Sequence, residues 1–274
     1  MSGVNDRVEA DREVRGAFLV RTGKTQQSWV DPDDPLRLEF EYVQRIAEIL
    51  RVTILGRDRD ARLRVVHLGG GGMTLPRWLA AVRPGTAQVV CEPDGELLAE
   101  VRRKLPLPPR SGIKVREVDG RSGLAAMAPD YADAMIVDAF DGLHVPGALA
   151  TTEFFADVSR VLRSGGVLIM NLADESPFGW SRACLAGVAE HFRHALVTAE
   201  TSVLKGRRYG NFVLAAARTA LPVDALDTVA RQALFGYRAV AGAALKRWIG
   251  GAAPFTDAAP RDSHGPTSGH TWYG

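Results

Sequence analysis

Val65-Val66-His67-Leu68-Gly69-Gly70-Gly71-Gly72-Met73-Thr74-Leu75 joins an apolar strand to a glycine turn and then to a segment, Leu75 to Val82, with helical apolar spacing. Four consecutive glycines would weaken any ordinary element. They belong where the backbone takes positive φ and comes close to a ligand, at the carboxyl end of the first strand of an open α/β sheet. A second signal lies at the matching distance: Gln88-Val89-Val90-Cys91-Glu92 is another apolar strand, ending in a carboxylate about twenty residues on. An acid in that place takes both hydroxyls of a ribose, so the pair points to a nucleoside ligand.

Outward from this unit the pattern repeats. Strands are expected at Arg64 to Leu68, Ala87 to Glu92, Ile113 to Val118, Ala132 to Asp138, Gly166 to Leu172, Leu196 to Leu204 and Asn211 to Ala216. Helices are expected between them at Leu75 to Val82, Gly95 to Leu105, Ser122 to Met127, Thr152 to Leu162 and Gly179 to Phe192. Such alternation with short loops demands a mostly parallel sheet covered on both faces. The Arg207-Arg208-Tyr209-Gly210 turn is too short for a helical crossover, so the last two strands form an antiparallel hairpin.

Upstream, Gly16 to Gly23 and Gln26 to Val30 read as a hairpin across the Gly23-Lys24 turn. Asp31-Pro32-Asp33-Asp34-Pro35 breaks the chain, and Leu38 to Leu50 resumes with helical periodicity. Downstream, Asp224 to Phe235 and Tyr237 to Ile249 read as helices. Beyond Pro254 the chain is rich in Gly, Pro, Ser, Thr and His without an apolar period, and is expected to be loose unless a partner or dimer mate holds it. The expected organisation is a hairpin and connecting helix over 1–60, a Rossmann-like nucleoside-binding domain over 61–250, and a flexible tail over 251–274.

The 274 residues are 46% hydrophobic and 24% charged, the balance of a soluble globular protein. Lys and Arg total 34 against 32 Asp and Glu, too even to argue for nucleic acid. No apolar run reaches the roughly 18 residues of a membrane span. Met1 to Glu13 lacks the apolar core of a secretory signal, so a cytoplasmic location is expected. With only Cys91 and Cys184 there is no disulfide framework, and Cys91 reads as a core residue. His191 and His194 have no third ligand nearby in sequence, so no metal is expected.

In an open parallel sheet the ligand lies across the carboxyl ends of the strands. Here those ends carry Gly69 to Gly72, Glu92, Asp119-Gly120 and Asp138-Ala139-Phe140-Asp141. Each acid also has a plain reading: Glu92 as a solvated loop residue, Asp119 as a helix N-cap, Asp141 as a turn former beside Gly142. Their clustering at one edge is unfavourable unless donors or a ligand offset it. His67, ending a strand, reads as a hydrogen-bonded core histidine, and His144 as an exposed loop residue. Asn171, ending the fifth strand, is placed to meet substrate from the sheet edge.

Asp133-Ala134-Met135-Ile136-Val137-Asp138-Ala139-Phe140-Asp141 resembles the stretch of spermidine and spermine synthases in which a strand ends in an aspartate followed three places later by another. Gly69-Gly70-Gly71 resembles their glycine turn, Val90-Cys91-Glu92 their ribose-binding strand end, and Val118-Asp119-Gly120 their adenine-side acid. The resemblance runs from about Leu63 to Ala217, and Pro254-Phe255-Thr256-Asp257-Ala258-Ala259-Pro260 is similar to a closing segment of the bacterial branch.

It implies an α/β fold: a Rossmann-like, mostly parallel sheet of the class I methyltransferase type, seven-stranded as the strands above count, with a small N-terminal hairpin. It further implies transfer of an aminopropyl group from decarboxylated S-adenosylmethionine to a small amine. Glu92 would bind the ribose hydroxyls and Asp119 the adenine amino group, beside Gly69, Gly70, Gly71 and Gly120. Asp138 would take a proton from the attacking amine, and Asp141 would hold a cationic amine of the acceptor. A homodimer built partly by the hairpin is implied, with no metal, membrane or nucleic acid.

The chain departs from the family pattern in its amine-binding half. Gly72 stands where the family carries an aspartate, and Gly142 where it carries a proline. The family's tyrosine and glutamate motif falls on Gln26-Gln27-Ser28-Trp29-Val30-Asp31, where Gln27 and Asp31 are the candidate substitutes. Two other readings therefore stay open. One is methyl transfer from S-adenosylmethionine itself, with Gly72 leaving room for the donor's amino-acid end; the other is a non-catalytic nucleoside-binding protein.

Overall fold

A computed structural model describes residues 6–23, 25–58, 60–232 and 236–267. The chain opens with β1 (Val8–Ala10), β2 (Phe18–Thr22) and β3 (Thr25–Val30), followed by α1 (Glu41–Thr53). Next come β4 (Arg64–Leu68), α2 (Thr74–Val82), β5 (Ala87–Cys91), α3 (Gly95–Lys104), β6 (Ile113–Arg116), α4 (Gly120–Ala125) and β7 (Ala132–Val137). A 3-10 turn at Gly147–Leu149 leads into α5 (Thr152–Val161), β8 (Leu162–Asp174), α6 (Gly179–His191), β9 (His194–Glu200) and the one-turn α7 (Thr201–Leu204). The last elements are β10 (Gly210–Ala217), α8 (Val223–Gln232), β11 (Tyr237–Ala241) and α9 (Gly242–Ile249).

The main sheet has the order β11-β9-β10-β8-β7-β4-β5-β6. Strands β6, β5, β4, β7 and β8 run parallel, while β10 is antiparallel to both β8 and β9, giving the expected terminal hairpin. The chain steps outward from β4 through β5 to β6, then crosses to the other side of β4 to form β7 and β8. Strand order thus reverses at β4, and a crevice opens over its carboxyl end.

Residues of β4 alternate between two cores, as pleating requires. Val66 and Leu68 face the cluster with Phe154 and Phe155 of α5, and Val65 faces Ile46 and Leu50 of α1 and Leu79 of α2. Burying each of these larger side chains contributes about 1.5–3 kcal/mol. A third cluster, with Val8, Val20, Val30, Met73, Val90 and Leu97, seats the N-terminal sheet on α3 and on the residue after the glycine turn.

Three elements differ from the sequence-based expectation. The hairpin at Phe18–Thr22 and Thr25–Val30 gains a third strand, β1, too short to show a period. The sheet has eight strands rather than seven, because Tyr237–Ala241, expected to begin a helix, pairs antiparallel with β9. Gly242, at φ +56°, follows this strand directly and begins α9. The strand expected over Leu196 to Leu204 ends at Glu200, and α7 begins at Thr201. Positions 233–235 of the expected Asp224-to-Phe235 helix lie outside the described residues.

The part of the C-terminal segment within the described residues is tied down by polar contacts, which leave no apolar period in the sequence. Phe255 bridges Thr151, and its carbonyl accepts from the Thr152 N–H at 2.8 Å. Ser263 N–H donates to the Val145 carbonyl at 3.0 Å, and Ser263 Oγ accepts from the Val145 N–H at 2.8 Å. Trp180 Nε1 donates to the Arg261 carbonyl at 2.8 Å.

Candidate active site

The glycine turn shows why it needs glycine. Gly69 takes φ +94° and Gly71 φ +45°, and a side chain on Gly69 would collide with the Asp138 carbonyl. Gly69 N–H donates to the Cys91 carbonyl at 2.9 Å, which joins the ends of β4 and β5. Glu92 Oε2 accepts from Gly70 N–H at 2.8 Å and Gly71 N–H at 3.3 Å, and its Oε1 accepts from Asp94 N–H at 3.1 Å. The carboxylate is thereby fixed against the turn, with acceptor capacity left on Oε1.

Gly72 N–H donates to Ser28 Oγ at 3.1 Å, and Thr74 Oγ1 donates to the Trp29 carbonyl at 2.8 Å. A Cβ on Gly72 would lie 2.6 Å from Val30 Cγ2 and 3.0 Å from Val20 Cγ2. This position is closed by the N-terminal sheet, so the reading that Gly72 leaves room for a donor's amino-acid end is corrected. Buried Arg77 braces the turn from below: its Nε donates to the Gly72 carbonyl at 3.3 Å and its other nitrogens to the Leu105 and Pro106 carbonyls. Burial lowers its pKa to about 10, and it remains a cation at neutral pH.

Asp138 ends β7 beside this turn, its N–H donating to the Leu68 carbonyl at 2.9 Å. Asn171 Nδ2, from β8, donates to Asp138 Oδ1 at 3.0 Å, and the Tyr42 hydroxyl from the first turn of α1 also bonds the carboxylate. Burial pushes the Asp138 carboxyl up to about 6, against the opposing pull of these two hydrogen bonds. Burial and the Asp138 charge raise the Tyr42 phenol well above its ordinary range, so Tyr42 stays a donor.

Asp119 accepts from Ser122 N–H at 2.9 Å and caps α4, and hydrogen bonds with Ser122 lower its pKa. Its plain reading and its site reading coexist, since the carboxylate also lines the cavity mouth. Asp141 is exposed and shares a tight backbone pair with His144 at 2.8 and 3.0 Å. Gln27 Nε2 ties β3 to that loop through the Gly142 carbonyl at 2.9 Å.

These groups surround one cavity of about 410 Å³. Gly69, Gly70, Gly71, Glu92, Asp119, Gly120, Asp138 and Asp141 all line it. His67 touches it with one edge but is buried, its Nε2 bonded to Gln88 Oε1 at 2.9 Å. Burial lowers the His67 pKa to about 4, which keeps the ring neutral. His144 does not line the cavity; its Nδ1 bonds the Ser263 carbonyl at 2.5 Å. Among the described residues no group of three His, Cys, Asp or Glu is arranged to hold a metal. Nor is any helix among them long and apolar enough to cross a membrane.

The fold superposes on a probable spermidine synthase from Corynebacterium glutamicum with a TM-score of 0.84 and 31% identity, covering 91% of this chain and 92% of that one. The chain belongs to the spermidine synthase family. A polyamine aminopropyltransferase of Chromobacterium violaceum is 30% identical over 165 residues, which is 60% of this chain and 60% of that protein. The chain thus spans about 60% of the length of this curated relative. Human Methyltransferase-like protein 13, solved in complex with SAH, shares the fold at a TM-score of 0.59 and 20% identity, over 77% of this chain and 93% of that one. No family model matches the chain.

Several lining residues of this family member escaped the sequence reading. Tyr42 has no local signal tying it to Asp138, 96 positions away, and Ser28 and Thr74 bond across the N-terminal sheet. Arg121 lines the cavity and reaches Asp257 at 2.5 Å, and Asp257 accepts from Thr151 Oγ1 at 2.6 Å. The closing segment named for its resemblance therefore braces the wall beside Asp119.

Proposed function

We propose that this chain transfers an aminopropyl group from decarboxylated S-adenosylmethionine to a small primary amine. The observation that carries the reading is the half-buried Asp138, held by Asn171 and Tyr42 at the edge of the glycine turn and in the same cavity as Glu92. A cavity of about 410 Å³ is of the size that takes a nucleoside and its tail. In this reading Glu92 holds the ribose hydroxyls, Asp119 meets the adenine amino group, and the turn's backbone lies against the sugar.

The amine must be neutral to attack. Its nitrogen lone pair forms a bond to the aminopropyl carbon next to the sulfonium, and the carbon–sulfur pair leaves with sulfur as methylthioadenosine. The nitrogen then sheds a proton to the Asp138 carboxylate, which is ionised above about pH 6 and oriented by Asn171 and Tyr42. Alignment of nitrogen, carbon and sulfur supplies most of the remaining acceleration. Asp141, at the rim, attracts the cationic acceptor before it loses its proton.

Charge favours the decarboxylated donor. The two arginines lining the cavity are paired, Arg7 with Asp94 and Arg121 with Asp257, each at 2.5 Å, and Glu39 pairs with Arg37 at 3.2 Å, while the Asp138 and Asp141 carboxyls line the cavity without a cationic partner among the described residues. A donor carboxylate would have to compete with Asp94 or Asp257 for these arginines, whereas a donor ammonium meets the Asp138 and Asp141 carboxyls. A cytoplasmic homodimer, formed partly through β1 to β3, is the assembly and location we attach to this reading. Light scattering of the purified chain tests the dimer.

Calorimetry with S-adenosylmethionine, its decarboxylated form and methylthioadenosine tests the donor. The decarboxylated donor is expected to bind tightest, with methylthioadenosine also bound. Preference for the carboxylated form replaces the proposal with methyl transfer, and binding of none of the three removes both enzyme readings.

A further inference from the structure

Asp141 stands at the rim of the cavity, and its backbone sets its place. Its N–H donates to the His144 carbonyl at 2.8 Å and its carbonyl accepts from the His144 N–H at 3.0 Å, so Asp141 to His144 is a two-residue hairpin turn. Gly142, at φ +61°, is the first residue inside that turn. A proline, with φ locked near about −65°, cannot take this conformation. The position where the family carries a proline is therefore rebuilt here as a turn whose shape depends on glycine, which supplies no stiffness of its own. The same turn puts Gly142 and Leu143 into the wall of a small chamber of about 30 Å³ behind Asp138, beside Gln26, Tyr42 and Asn171.

Two struts from outside the loop supply the stiffness instead. On the inner side Gln27 Nε2, from β3, donates to the Gly142 carbonyl at 2.9 Å. On the outer side the loop is laced to the C-terminal segment. His144 Nδ1 meets the Ser263 carbonyl at 2.5 Å, and because a carbonyl only accepts, the ring carries a proton on Nδ1. Ser263, only 2% exposed, gives its N–H to the Val145 carbonyl at 3.0 Å and accepts from the Val145 N–H through Oγ at 2.8 Å. Asp262 Oδ1 accepts from Gly147 N–H at 2.7 Å, and a Cβ on Gly147 would lie 2.5 Å from the Arg261 backbone. Next along, His264 Nε2 pairs with Asp174 at 2.8 Å and its carbonyl accepts from the Tyr209 hydroxyl at 3.1 Å, which anchors the segment to the end of β8 and the residue before β10.

We infer that His144 is a positioning residue for the acceptor: held by Ser263, it keeps the Asp141 turn at the rim, where the Asp141 carboxylate meets the incoming ammonium. His144 itself lies outside the cavity, so it acts through Asp141 rather than on the amine. Residues 261–264 then belong to the acceptor half of the site, although they come from the far end of the chain. The inference rests on the proposed transfer and on the role given there to Asp141.

The test measures methylthioadenosine release by the full chain from decarboxylated S-adenosylmethionine with propylamine, 1,3-diaminopropane and 1,4-diaminobutane, and continues with the amine of highest kcat/KM. His144→Ala is expected to raise the acceptor KM about 3- to 10-fold, with kcat and the calorimetric donor affinity within about 2-fold of the unmodified chain. His144→Asn, whose Nδ2 falls where the ring Nδ1 stood and still donates to the Ser263 carbonyl, is expected to recover most of the loss. The decisive readout is the cycle with Asp141→Asn, which raises the acceptor KM by itself; adding His144→Ala to it is expected to cost no more than about 1.5-fold further. An equal penalty from His144→Ala in both backgrounds, no recovery in His144→Asn, or an unmoved acceptor KM in His144→Ala overturns the inference and leaves the proposed transfer standing. An unaltered acceptor KM in Asp141→Asn overturns the role of Asp141 and the inference with it. Donor binding without release, whichever of the three amines is present, overturns the transfer and the inference together.

Discussion

The glycine turn with Glu92 and the chamber behind Asp138 adjoin each other, yet the first is assembled within residues 67–94 and the second draws Tyr42, Phe140, Asn171 and Tyr209 from distant segments. The first is a set of backbone N–H groups and a carboxylate whose geometry is fixed by one strand-turn-helix unit. The second is a set of side chains meeting only because α1, β3, β8 and the loop after β7 converge. The shape of the first is dictated by short-range chemistry, so it can be read from one stretch of sequence. The second depends on long-range packing, so no single stretch of sequence specifies it.

Substitutions can separate the two halves. Gly69→Ala is expected to have the largest effect: the new methyl meets the Asp138 carbonyl and the residue must hold φ +94°, which costs about 2–4 kcal/mol of stability and removes donor binding. Thermal melting and calorimetry read both losses. Glu92→Ala leaves the Gly70 and Gly71 N–H groups without their acceptor and is expected to weaken the donor by about 10- to 100-fold. The acceptor KM should hold steady, and a parallel rise in it would mean the halves are not separate.

Asp138 links the halves through its pH response. At a fixed concentration of neutral amine, kcat/KM should fall as the pH drops below about 6, because the carboxylate becomes protonated. Stability runs the other way. A carboxyl whose pKa is raised on folding favours the fold below its unfolded value of 3.8, and that contribution is lost as pH rises through about 6. Asp138→Asn should therefore melt higher than the unmodified chain at pH 8, by about 1–3 kcal/mol, and equal it near pH 4. Asp257→Ala should give the smallest effect: loss of the Arg121 and Thr151 contacts costs about 0.5–1.5 kcal/mol and raises the donor KM a few-fold.

The same contrast explains what was legible in the sequence. Val65 to Leu75, Glu92 and Asp138 show in sequence the sheet strands and the residues at their carboxyl ends, because strand periodicity and glycine conformations are local properties. Tyr237–Ala241 was misread as helix because its place is set by pairing with β9, not by its own five residues. The closing segment carried no apolar signal, since Asp257, Arg261 and Ser263 hold it by polar contacts to Thr151, Trp180 and Val145. Nothing local to Gly72 signals that Val20 and Val30, from another sheet, close the space beside it.

Release of methylthioadenosine from decarboxylated S-adenosylmethionine and whichever small primary amine the unmodified chain uses best, compared between that chain and Asp138→Asn at pH 8, tests the central claim. The account predicts release by the unmodified chain, a loss of about 10²- to 10⁴-fold in the variant, and unchanged donor affinity in calorimetry. Equal release by the two would contradict it.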